Sequence, residues 1–168
     1  MQDQSPASLS DIEILDILQS MKDDELNVEA QAVIRASNKE GRQEAHKRAL
    51  VALQQSFESK VIEALSLALH LNSTQSKKIR YKKDRIRILK AKGIDYLAID
   101  GAETAQVLAQ IVQAIEIEDA TVTKGLHNCF PFWKEGWPMV QLDHAYQTLE
   151  ADIHIHYQAT LDVLIQRF

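Results

Sequence analysis

The chain has 168 residues, with 19 Lys and Arg against 24 Asp and Glu, a net charge of −5 and 45% hydrophobic residues. That length fits one domain over 1–168, and the balance excludes both a disordered chain and a globally nucleic-acid-like one. Five glycines and three prolines are too few for the turns of a β-rich protein, so the expected class is all-α.

Residues 1–8 read as a disordered lead with neither the basic region nor the apolar core of a secretory leader. Ser10 and Glu13 form a capping box that opens a first helix with Ile14, Ile17, Leu18 and Met21 on one face. Asn27 caps a short second helix to about Ala36. Ser37 with Glu40 forms a second box, opening a long third helix to Leu71 whose stripe is Ala45, Ala49, Leu53, Phe57, Ala64, Ala68 and Leu71. Asn72-Ser73 closes it and caps a helix from Thr74 to about Lys92, which Gly93 ends in a left-handed turn. Ile94–Ile99 is a short apolar connection. Asp100 with Glu103 gives a third box, before a helix striped by Leu108, Ile111, Val112 and Ile115.

Residues 116–137 are the least regular part, with a short helix ending at Gly125. Pro138 then suits a first helical position, where no amide donor is needed. From it Leu142, Tyr146, Leu149, Ile153, His156 and Thr160 recur at spacings of four and three, followed by Leu161, Leu164 and Phe168. That helix of about 31 residues would span roughly 46 Å. Five or six helices joined by short connections pack most simply as an antiparallel bundle, with the aromatic-rich loop near one end.

Three features bear on function. Between Lys77 and Lys92 lie nine basic residues, among them Lys78, Arg80, Lys82, Lys83, Arg85 and Arg87, against the single acid Asp84. The segment is therefore +8 and the rest of the chain −13. Such a basic amphipathic helix suits an acidic protein partner, with nucleic acid or an anionic lipid surface as the alternatives. It would equally serve as an internal complement to the acidic first 31 residues.

The second feature is the stretch His127–Trp137, where Phe130, Phe132, Trp133 and Trp137 either seal the core or present a docking patch. His127 and Cys129 within it lack the orienting group and oxyanion donors that a nucleophile needs. The third is a set of weak metal-ligand candidates, Glu150 with His154 and Asp152 with His156, each pair four residues apart on the last helix. His156 falls in the apolar stripe, where a hydrogen-bonded core histidine is the simpler reading.

No Gly-rich phosphate loop, nucleophile elbow or cysteine–histidine zinc pattern is present, so neither a cofactor nor an enzymatic activity is expected. A lone cysteine, Cys129, excludes an internal disulfide framework and fits a reducing, cytoplasmic setting. No run approaches the roughly 18 apolar residues of a membrane span. The expectation is an interaction module, with a metal-binding helical-bundle enzyme built on the C-terminal His and Glu residues as a further alternative, and with a wide apolar stripe able to bury part of its surface in a homodimer.

Overall fold

The computed structural model describes residues 9–168, so the expected disordered lead over 1–8 lies outside the described residues. Within them the chain forms seven α-helices and no strand: α1 (Asp11–Met21), α2 (Val28–Arg35), α3 (Arg42–Ala68), α4 (Ser73–Lys78), α5 (Lys82–Ala91), α6 (Ala102–Ile117) and α7 (Leu142–Ile165). Short 3₁₀ turns occupy Tyr96–Ala98 and Lys124–Leu126. No helix among the described residues is long and apolar enough to cross a membrane.

The core is built around α3, which packs most extensively on α2 and α7 and also meets α6 and α1. Its buried face carries small residues at both ends, Ala45 and Ala49, then Ala64 and Ala68, with Leu53, Phe57 and Val61 between them. The small residues let neighbouring helices approach while the larger side chains fill the space in the middle. On α7, Leu142, Tyr146, Leu149, Ile153, His156, Thr160, Leu161 and Leu164 are all buried, as the spacing of four and three requires. Buried apolar side chains from Ile14 to Leu164 form one cluster.

Four helix ends differ from the sequence reading, each for a visible reason. The Ser10–Glu13 box forms in full. The Ser37–Glu40 box does not: the Ser37 hydroxyl donates back to the Ile34 carbonyl at 2.6 Å, and α3 starts after Gly41, whose N–H donates to Asn38 Oδ1. The Asp100–Glu103 box is replaced by a left-handed Gly101 at φ 80° before α6. There the backbone runs hard against α7, and a Cβ at Gly101 would lie 2.7 Å from His156 Cβ.

The helix expected over Thr74–Lys92 is two helices, α4 and α5. Asn72 caps α4 through a box with Gln75, and α4 stops at Ile79, which turns fully into the core. In a continuous helix the Ile79 carbonyl would accept from the amide four residues on. Here it accepts from Arg85 Nε at 2.7 Å instead. Finally, α7 begins at Leu142 rather than Pro138. Residues 136–139 lie antiparallel to 120–122, joined by Val122 N–H to the Trp137 carbonyl, Gly136 N–H to Val122 and Met139 N–H to Ala120. Phe168 falls beyond the last turn of α7 and is partly exposed.

Candidate functional site

The basic segment holds two environments. Lys77, Lys78, Arg80, Lys82, Lys83, Arg87 and Lys90 are exposed, Lys92 is half-buried and Arg85 is buried at 4% exposure. Arg85 is thus corrected from a surface contact to a core group. It shares the inward face of α5 with Ile88 and Leu89, three and four residues on. Among these exposed cations only Arg87 has a described carboxylate within ion-pair reach, Asp84 at 2.9 Å. The acidic N-terminal region does not complement this face among the described residues. There α1 packs on α7 and α3, Asp24 pairs with Lys60, and Lys22 pairs with Asp162.

Arg85 anchors a buried polar chain. Its Nη2 donates to Glu58 Oε2 of α3 at 2.7 Å, and Nη1 donates to the Tyr96 hydroxyl at 3.3 Å. The Tyr96 hydroxyl lies 2.9 Å from His156 Nε2, and His156 Nδ1 lies 2.8 Å from the Asp100 carbonyl. A carbonyl only accepts, so Nδ1 carries the proton, Nε2 accepts from Tyr96, and Tyr96 accepts from Arg85. One directed chain therefore runs from α7 through the 96–98 turn to α5 and α3. Burial works against the Arg85 charge, but Glu58 and Tyr96 offset it and hold the guanidinium above its usual range. Burial raises the Tyr96 hydroxyl, and burial, reinforced by the Arg85 charge, pushes His156 below its ordinary 6.5 despite the bond to Asp100.

That depression has a sign. The folded chain holds His156 neutral, so protonation favours unfolding: its contribution is full above pH 6.5 and is lost as pH falls below it toward the folded value. Replacing His156 with Gln removes this titration. The unfolding free energies of the two proteins should converge below pH 6.5, by at most about 1.4 kcal/mol per pH unit. Parallel stability curves between pH 7 and 5 would contradict the downward shift of His156.

The aromatic stretch divides in the same way. Trp133 is fully buried, with Nε1 donating to the Val140 carbonyl at 2.8 Å. Phe130 is buried edge-on against it at 4.9 Å, and half-buried Phe132 stacks on Phe130 and meets His144 edge-on. Of the two readings of this stretch, Phe130, Phe132 and Trp133 follow the core-sealing one and do not form a docking patch; Trp137 alone of the four stays out, at 70% exposure. His127 Nδ1 accepts from the Glu135 amide at 2.9 Å, and Cys129 is exposed with its thiol raised by partial burial and by Glu103. A thiol shifted in that direction is a poorer nucleophile.

Of the metal-ligand candidates, Glu150 and His154 line one pocket beside Asn27, and His156 is turned away from them. Residues two apart on a helix face opposite ways, so His156 points into the core with both ring nitrogens bonded, while His154 is exposed. Glu150 accepts from Asn27 Nδ2 at 2.7 Å, and Asp152 is half-buried. Among the described residues no group of three or more His, Cys, Asp or Glu is placed to hold a metal ion.

Sequence reading missed Tyr96, hidden in a short connection, and the α6 glutamines 106, 110 and 113, whose recurrence at four and three puts them on one face. No protein-family model, curated protein or solved structure matches the chain.

Proposed function

We propose that the protein is a non-enzymatic binding module whose exposed cationic face on α4 and α5 docks an acidic segment of another protein. One observation carries this reading: seven cations between Lys77 and Lys90 are exposed, and among the described residues only Arg87 of these meets a carboxylate. Clustered like charges repel one another and lower stability unless a counter-charge arrives. The −13 carried by the rest of the chain opposes a long polyanion such as a nucleic acid, which would extend beyond the basic face, and favours a short acidic peptide. On this reading the scaffold is the single-domain antiparallel bundle, with the aromatic loop near one end.

The test is fluorescence anisotropy with a labelled Glu/Asp-rich peptide and with mixed-sequence oligonucleotides, at about 50 and about 200 mM salt. The peptide should bind at the lower salt, weaken at the higher, and lose binding when Lys82, Lys83 and Arg87 are all changed to Glu. Steeply salt-dependent binding of oligonucleotides, with none of the peptide, would transfer the face to nucleic acid. Binding of neither would remove the reading.

A further inference from the structure

Beside this face, where α5 starts, a cavity of about 160 Å³ opens between α3, α5, α6 and the 96–98 turn. Glu58, Arg80, Lys82, Arg85 and Tyr96 line one side, and on α6 Ala105 and Ala109 lie among Gln106, Gln110 and Gln113. Three cations against one carboxylate give the lining a positive balance, and Glu58 is already held by Arg85. A guanidinium has five N–H donors. Arg85 directs one each to Ile79, Tyr96 and Glu58, which leaves one N–H on each Nη nitrogen without a partner among the described residues. Two donors on neighbouring nitrogens match the two oxygens of a carboxylate.

We propose that this cavity binds a compact organic acid. Its carboxylate sits on Arg85, with Arg80 and Lys82 at the mouth, and its apolar body lies along Ala105, Ala109 and the Tyr96 ring. The glutamine amides form no hydrogen bond to other described side chains and are available for further polar groups of the ligand. Size selects the class, because a cavity of about 150 Å³ accommodates a benzene-sized molecule. The net positive lining selects charge, since a buried arginine with unused donors favours an anion over its neutral isostere.

The site shares Arg80 and Lys82 with the docking face but rests on a different observation, and the two are separable. Benzoate, benzamide and inorganic phosphate are titrated into the full-length protein and followed by NMR shifts. Benzoate should saturate at one equivalent with the Tyr96 and Gln110 resonances moving, while benzamide and phosphate bind at least tenfold more weakly. Ala109→Leu, at an exposed helical position that tolerates the larger side chain, should weaken benzoate at least tenfold and leave acidic-peptide binding unchanged. The pair Lys83→Glu and Arg87→Glu, outside the cavity, should do the reverse. Absence of saturable benzoate binding, equal binding of phosphate, or indifference to Ala109→Leu would each overturn the proposal without touching the docking face.

Discussion

Replacing Trp133 with alanine is expected to lower the unfolding free energy by about 3–5 kcal/mol, the range for deleting a fully buried large aromatic side chain. The indole is wholly shielded, Phe130 packs edge-on against it, and its Nε1–H satisfies the Val140 carbonyl just before α7. Its removal leaves a void, an unpartnered carbonyl, and a 120–141 segment held chiefly by the bonds between 120–122 and 136–139. Against a typical total of about 5–15 kcal/mol, the loss brings the protein close to unfolding. The nearby Trp137, exposed at 70%, provides the control: its alanine variant should differ from the native chain by no more than about 0.5 kcal/mol. Urea denaturation followed by far-ultraviolet circular dichroism measures both. Equal midpoints would show that Trp133 is not the anchor of this segment.

The second large effect concerns Glu58. Changing it to alanine removes the carboxylate paired with Arg85 and leaves a guanidinium at 4% exposure without that counter-charge. Breaking a buried pair from one side typically costs about 3–5 kcal/mol. Because the Glu58 side chain keeps 22% of its surface, the lower end, about 3 kcal/mol, is expected. Replacing both members, Glu58→Met with Arg85→Met, should recover part of that loss, because an apolar pair carries no stranded charge while the Ile79 carbonyl and Tyr96 hydroxyl lose their Arg85 donors. A double-mutant cycle by chemical denaturation separates the two cases. If the double variant were as unstable as Glu58→Ala, packing and the lost Arg85 hydrogen bonds rather than charge would account for the loss.

These expectations show which parts of the structure could be read from the sequence. The stripe of α7 was legible because a helix buried along one side must repeat apolar residues at three and four, and α7 does so for six turns. The start of α7 was not. Pro138 has the right φ for a first turn, but the amides and carbonyls around it pair with residues 120–122, a long-range choice that local propensity cannot report. Arg85 was hidden in a different way. Nine basic residues in sixteen positions read as one charged surface, although Arg85 keeps step with Ile88 and Leu89. A charged residue in phase with an apolar stripe was the available signal for a buried ion pair. The break at Ile79–Tyr81 left no such trace, because it depends on Arg85 reaching the Ile79 carbonyl. Glutamines 106, 110 and 113 carried a periodicity too, but polar residues on one face ordinarily mark solvent, and only the neighbouring helices make that face a cavity wall.

The close approach of Gly101 to His156 bears on how such a protein can diverge. Most core positions tolerate exchange among apolar side chains of similar volume, so they drift in concert and lose their identity over long descent. Position 101 has no comparable freedom. Its φ of 80° disfavours any side chain, and its neighbour across the contact is the backbone and Cβ of residue 156, which cannot swing aside. Residue 156 is constrained in turn by the Asp100 carbonyl and the Tyr96 hydroxyl, both of which its ring must meet. A glycine at a helix start matched to a histidine on the last helix is therefore the mark by which remote kin of this chain would be known, long after its leucines and isoleucines had been exchanged.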